Sequence, residues 1–330
     1  MGLTQNANKP ASPSLKTDLC GIKMSTPLIM ASGAFGYAFE AGRVVDLDFH
    51  SIGAVCLKSV TAQARQGNPP PRVAETPAGM LNSVGLQNPG VDYVIKVYFP
   101  MLKNFDTKFI GSVAGFSVEE FAATAGKLAD HPGISAVEVN MSCPNVKGGR
   151  HFASDAGEAA KVIGAVRKKC KKPVFAKLAP TPDKIQEIAK ACIEAGANAL
   201  TVGNTFVGMA IDVTERRPIL GNNFGGLSGP AIRPLAVYSV HLVYQVASKT
   251  KTPVIGCGGV ATASDAAEMI LAGASAVQIG TALFANLHLS KDICEGLRRY
   301  LTEQHEENIG AVVGALKLNE AASTAPAAGT

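Results

Sequence analysis

Residues 254–282 read VIGCGGVATASDAAEMILAGASAVQIGTA, and the order of residue types along them decides the fold. Val254-Ile-Gly is a short apolar run, a glycine pair follows, and a helix is expected over Ala263–Ala272. Gly273 then precedes a second apolar run, Ala276–Ile279. Short runs that are apolar on both faces belong to parallel strands covered on both sides. The junction Leu271-Ala-Gly-Ala-Ser-Ala-Val has a near copy in Glu194-Ala-Gly-Ala-Asn-Ala-Leu. In each, a glycine stands where the helix must end in a left-handed conformation before the chain turns back into the sheet. A reused junction points to a repeated β/α unit.

Working outward, the same kind of run recurs at Pro27–Ala31, Ile52–Lys58, Phe109–Val113, Ala136–Asn140, Val174–Leu178 and Ala199–Gly203. Helical periodicity fills Val118–Ala129, Asp155–Lys169, Thr181–Glu194, Ile232–Ser248 and a segment near Ser290–Glu306. Eight strands with interleaved helices predict an α/β fold, a (β/α)8 TIM barrel, rather than an open doubly wound sheet. Two connections, about Val60–Gly90 and Thr205–Pro230, are too long for plain barrel loops. Both leave carboxyl ends of strands, where barrel active sites are built, so they are expected as insertions over that face. The domain reading is a flexible tail over 1–17, one barrel over 18–315 and a second tail over 316–330.

Composition bounds the function. The chain has 330 residues, 47% hydrophobic and 17% charged, with a net charge of +5. This is a globular composition, and so modest a basic excess suits anionic small molecules without implying nucleic acid. The basic run Arg167-Lys-Lys-Cys-Lys-Lys closes a predicted helix, where cations complement the dipole. Seven cysteines include no C-x2-C pair, which argues against a zinc ribbon or a local iron–sulfur cluster, and no metal site is expected. Their odd number and apolar settings predict a reducing, cytoplasmic location. No apolar run approaches the roughly 20 residues of a membrane span. Cys56, Cys192 and Cys257 read as structural.

The chemistry gathers at predicted strand ends. Gly258-Gly259 and Gly280-Thr281 follow the seventh and eighth strands and face helix starts, the position of a barrel's phosphate cradle. Glycines there also serve tight turns, and a cradle alone names no ligand. Cys143, in Val139-Asn-Met-Ser-Cys-Pro-Asn-Val-Lys-Gly-Gly, has polar flanks and no neighbouring histidine. A thiol in that setting suits proton abstraction better than peptidase chemistry. Lys58 and Lys177 end apolar strands and should point into the barrel mouth toward an anionic partner, the alternative being a side chain that snorkels past the rim to water. Asn82, Asn88, Asn140, Asn145 and Asn204 cluster in the same regions; amides match the donor and acceptor edges of an imide or pyrimidine, and they equally suit turns.

Together, Ala31-Ser-Gly-Ala-Phe-Gly, Asn68-Pro-Pro-Pro-Arg-Val-Ala-Glu-Thr, Met80-Leu-Asn-Ser-Val-Gly-Leu-Gln-Asn-Pro-Gly, Asn140-Met-Ser-Cys-Pro-Asn-Val, Gly225-Gly-Leu-Ser-Gly-Pro-Ala and Gly256-Cys-Gly-Gly-Val resemble class 1 dihydroorotate dehydrogenases. The resemblance covers roughly residues 18–315, and Val-Lys-Gly-Gly is most similar to class 1B, the branch that works with a separate electron-transfer subunit. It implies FMN-dependent oxidation of dihydroorotate to orotate in pyrimidine biosynthesis. Cys143 would remove the C5 proton while a hydride leaves C6 for N5 of FMN. Lys58 would lie near flavin and substrate, and Lys177 beside the flavin ring. The substrate set implied is Lys58, Asn82, Ser83, Val84, Gly85, Leu86, Asn140, Asn145, Asn204 and Thr205. The flavin set implied is Ser32, Lys58, Ser59, Ser112, Asn140, Lys177, Gly203, Gly229, Gly258, Gly259, Gly280 and Thr281. A homodimer, and for class 1B a subunit carrying FAD and an iron–sulfur cluster, are the implied partners.

Three positions depart from the family pattern: Ser112 replaces a usual asparagine, Gly203 a bulkier apolar residue, and Arg150-His-Phe-Ala-Ser-Asp a glycine-containing stretch. The competing readings are a fumarate-linked class 1A enzyme, a dihydropyrimidine dehydrogenase-like flavoprotein, a flavin-free phosphate-binding lyase or isomerase, and a scaffold subunit without turnover.

Overall fold

A computed structural model describes residues 12–44, 46–141 and 152–319 of the chain. The barrel strands are β1 (Leu28–Met30), β2 (Ala54–Cys56), β3 (Lys108–Val113), β4 (Ala136–Asn140), β5 (Val174–Leu178), β6 (Ala199–Val202), β7 (Val254–Cys257) and β8 (Ala274–Ile279). They form a closed parallel barrel in chain order, β8 pairing with β1 through Val277–Leu28 and Ile279–Met30. All eight lie where their apolar runs predicted, with small differences at the ends. Around them run α1 (Phe39–Val44), α2 (Val91–Val97), α3 (Val118–Asp130), α4 (Ala156–Lys169), α5 (Ile185–Glu194), α6 (Arg233–Ala247), α7 (Ala263–Leu271) and α8 (Leu289–Glu303). The two short helices α1 and α2 have too few turns to show periodicity, and sequence patterning missed them.

Helix starts are chemically marked. Ser117 and Asp155 accept hydrogen bonds from the amides of Glu120 and Glu158, three residues on, at the heads of α3 and α4. The junction glycines behave as read: Gly196 and Gly273 have φ of +100° and +122°.

The amino end of the barrel is plugged. Its interior carries Ala54, Ala136, Ala199 and Ala276 beside Ile29, Ile110, Phe175 and Ile255, all buried. The alanines leave room for Leu19, Ile22 and Met24 from an antiparallel hairpin, Thr17–Leu19 with Ile22–Met24, which joins this cluster. Upstream, Leu15 is buried, and the backbone of Ser14 bonds Glu307 and Ile309. The packed chain therefore extends ahead of residue 18.

The opposite end is roofed by the two long insertions together. Val73–Thr76 and Gly79–Asn82 from the first join Phe206–Gly208 and Gly225–Ser228 from the second in one four-stranded antiparallel sheet. The seam between insertions pairs Gly226 with Asn82 and Ser228 with Met80. Glycine is needed there, since a Cβ on Gly226 would lie 1.9 Å from Thr205 Oγ1. Among the described residues no helix is long and apolar enough to cross a membrane.

Candidate functional site

Between the carboxyl ends of the barrel strands and this roof lies a cleft of about 1370 Å³, measured out to its open mouth. One end is lined by backbone: Gly229, Gly258, Gly259, Gly280 and Thr281. Among the described residues, the amides of Gly258, Gly259 and Val260 have no acceptor. Thr281 donates to Ser228 Oγ at 2.8 Å, joining the eighth loop to the roof. Gly259 has φ +78°, and a Cβ there would sit 2.6 Å from that of Arg233. Free amides on a glycine loop make an anion site.

The structure amends one expectation here. The head of α7 does not offer its amides to the cleft, because Asp265 Oδ2 accepts from Ala261 N at 2.9 Å and Thr262 N at 2.8 Å. Asp265 and Thr262 form a capping box, and Arg233 pairs with Asp265 and Glu268. The anion-binding capacity therefore resides in the loop ahead of the helix.

On the β1–β4 side the cleft wall is a string of short polar side chains. Ser32 Oγ lies 3.2 Å from Ser59 Oγ, Asn140 Nδ2 donates to Ser59 Oγ at 3.3 Å, and Asn204 Nδ2 donates to Asn140 Oδ1 at 3.3 Å. Lys58 lines the cleft beside them, and Asn82, Val84, Gly85, Leu86 and Thr205 line it from the roof. Most of the residues implied by the resemblance are thus brought to one cavity from nine different segments.

Several are not. Ser112 is buried behind Ser59, whose Oγ is 2.8 Å from its own, so the hydroxyl that faces the cleft belongs to Ser59. Ser83 is fully buried and accepts from Asn68 Nδ2 at 3.0 Å, because strand alternation turns it away from the cavity. Gly203 lies outside the lining. A Cβ there would be 1.8 Å from the carbonyl of Cys257, so its role is to let β6 end close to β7. Asn88 is spent within its own loop, on Thr61, Leu86 and Gly90. Cys143 and Asn145 lie outside the described residues.

The floor holds what sequence reasoning missed. Lys177 Nζ donates to Gln278 Oε1 at 3.1 Å and lies 3.5 Å from Glu138 Oε1. Glu138 is completely buried and also accepts from Gln278 Nε2 at 2.6 Å, Thr201 Oγ1 at 2.8 Å and Cys56 Sγ at 3.3 Å. Burial by itself would drive the Lys177 ammonium toward neutrality. The Glu138 carboxylate, with Cys257 and Cys56, outweighs that and holds its pKa above the ordinary lysine value. Cys257, read as structural, lines the cleft. Burial pushes its thiol pKa up, and Lys177 only partly offsets this. The signal for Glu138 was available: alternation along β4 puts Ala136, Glu138 and Asn140 on the inward face.

Comparisons with known proteins agree with this geometry. The dihydroorotate dehydrogenase family profile matches residues 14–301. "Dihydroorotate dehydrogenase B (NAD(+)), catalytic subunit" of Trichlorobacter lovleyi is 46% identical over 306 residues, 92% of this chain and 99% of that protein. The protein of the same name from Desulforudis audaxviator is 48% identical over 298 residues, 90% of this chain and 95% of that one. A crystal structure of dihydroorotate dehydrogenase from Eimeria tenella, in complex with ferulenol, shares the fold at a TM-score of 0.76 and 20% identity, covering 96% of this chain and 91% of that one. The chain belongs to the dihydroorotate dehydrogenase family, oxidoreductases that act on dihydroorotate.

Proposed function

We propose that this chain is the FMN-bearing catalytic subunit of a class 1B dihydroorotate dehydrogenase, oxidising dihydroorotate to orotate with Cys143 as the base. The observation that carries it is the polarity of the cleft under the roof: acceptor-free amides of Gly258–Val260 at one end, and Lys177 with the Lys58, Asn82, Asn140 and Asn204 cluster at the other. The residues fit FMN. A phosphate meets bare backbone where any Cβ at Gly259 would intrude, and the Lys177 ammonium, with no third acceptor among the described residues, faces the place of the ring. Bound FMN would supply the two-electron acceptor that no side chain provides. The remaining steps belong to the chain. The amides of Asn82, Asn140 and Asn204 orient the pyrimidine, and Lys58 offsets its carboxylate. Cys143, in the segment after β4, takes the C5 proton. Closely matching relatives named catalytic subunits support a partner that carries electrons onward, which for class 1B means a subunit with FAD and an iron–sulfur cluster. A homodimer core and a cytoplasmic location belong to the same reading.

The test is an absorbance spectrum of the purified chain before and after anaerobic addition of dihydroorotate. A yellow protein that bleaches, and bleaches far more slowly as Cys143→Ala, is expected. A flavin-loaded protein that dihydroorotate leaves yellow refutes the substrate assignment, and failure to take up supplied FMN refutes the cofactor.

A further inference from the structure

Four donors converge on Glu138 in the barrel interior: Gln278 Nε2 and Thr201 Oγ1 on Oε2, Cys56 Sγ and Lys177 Nζ on Oε1. Only a carboxylate, an acceptor at both oxygens, satisfies all four. Gln278 is bridged in turn, donating to Glu138 while accepting from Lys177. Two of the three Lys177 N–H directions are thereby fixed toward the floor, and the third is left for the cleft that Lys177 lines. The arrangement also sets a field. A fixed negative charge lies directly beneath the cation that faces the ring, so the pair presents the cofactor with much less than a full positive charge.

We propose that Glu138 is a positioning residue that aims Lys177 at the flavin and, by opposing its charge, keeps the reduction potential of bound FMN lower than Lys177 alone would set it. This rests on the FMN reading of the cleft. The carboxylate disfavours the anionic reduced cofactor relative to the neutral oxidised one, which eases the passage of electrons to the next acceptor. Thr201 and Gln278 act on the flavin only through Glu138 and Lys177.

The experiment compares FMN midpoint potentials of the full chain, reconstituted with FMN and titrated against reference dyes, for wild type, Glu138→Gln, Thr201→Val and Thr201→Ser. Glu138→Gln removes the opposing charge at constant size, and because burial then draws the Lys177 ammonium toward neutrality, all potentials are compared at pH 6, where the lysine most readily keeps its proton. The substitution is expected to favour reduced over oxidised FMN at least tenfold, about 30 mV more positive for a two-electron couple. Thr201→Val strips one donor from Oε2, leaves its charge less offset, and is expected to shift the preference at least threefold the other way, while Thr201→Ser stays with wild type. General loosening of the floor would move both substitutions in one direction. Glu138→Gln with FMN bound and a preference within twofold of wild type overturns the inference. So does a same-sign shift in both variants. If Glu138→Gln does not fold, the threonine pair decides alone: equal potentials for valine and serine overturn it. A wild-type chain that takes up no FMN overturns the functional reading itself, a distinct result.

Discussion

Lys177→Met tests the physics of the floor without any ligand. The substitution keeps length and removes the charge, leaving the wholly buried Glu138 without its cation; the side chains of the pair are 7% and 0% exposed. Breaking one side of a buried ion pair costs about 3–5 kcal/mol, because the remaining charge stays desolvated. With an unfolding entropy of about 2.1 cal/mol/K per residue over about 300 ordered residues, this is a fall of about 5–8 °C in Tm. The assay is thermal and urea unfolding of flavin-free protein, so that ligand binding does not enter. Glu138→Gln should cost a similar amount, and the double substitution less than the sum by more than about 1 kcal/mol. The pH dependence has a definite sign. Because the folded-state pKa of Lys177 is raised, its contribution is complete below the unfolded value of about 10.4 and is lost only as pH rises through the folded one. The protonation of Lys177 therefore gives wild-type stability no pH dependence between about pH 6 and 9. Single-variant costs that add within about 0.5 kcal/mol would show that the two groups are not coupled and refute the argument.

Gly273→Ala and Gly196→Ala share a junction and a positive φ, so each should cost about 1–2 kcal/mol of backbone strain. The new Cβ meets the Tyr244 ring at 2.1 Å in the first but the flexible Arg167 side chain at 3.0 Å in the second. Gly273→Ala should thus lose about 1–3 kcal/mol more by urea unfolding. Gly259→Ala should weaken FMN binding about 10- to 100-fold, the worth of one charge-assisted hydrogen bond, while leaving riboflavin, which lacks the phosphate, nearly unaffected in the same titration. At pH 8 iodoacetamide should label one thiol quickly. Burial pushes Cys20 and Cys294 up to about 11 and Cys192 up to about 12, and raises Cys56, Cys170 and Cys257 as well. A fast label that persists in Cys143→Ala would place the reactive thiol elsewhere.

The barrel was legible because its determinants are local. Each buried strand carries its own apolar run and each repeated junction its own glycine, so no partner need be known. What escaped has its determinants elsewhere in the chain. Ile22-Lys-Met alternates in burial around the turn at Cys20 and Gly21, both at positive φ. It reads as a hairpin only once four alanines in four separate strands are seen to leave space for it. The roof is the stronger case. Gly225–Ser228 is poor in β-branched residues and has no propensity of its own. It becomes a strand because Gly79–Asn82, from the other insertion, offers it an edge.

The same distinction separates the parts of the site. Lys58, Lys177 and the glycines were identifiable since a charge or a bare backbone at a strand end has few structural uses. The expectation that Lys177 finds an anionic partner was sound, but naming it required the register. Asn140 pairs with Lys177 and Glu138 with Phe175 across β4 and β5, which puts the inward carboxylate one layer below the ammonium. Gln278 reaches the same carboxylate from 140 positions along the chain. Conversely Ser83 and Asn88 sit within a motif segment whose Asn82, Val84 and Leu86 line the cleft, yet both bond into the scaffold, while Ser112 faces inward but lies behind Ser59. Sequence position places a residue on the right loop or strand, but which side of it faces the ligand is decided by pairing. A cleft assembled from both insertions and the barrel rim therefore cannot be trimmed at one insertion alone: removing either strand of the Gly226–Asn82 seam unroofs the residues that the other contributes.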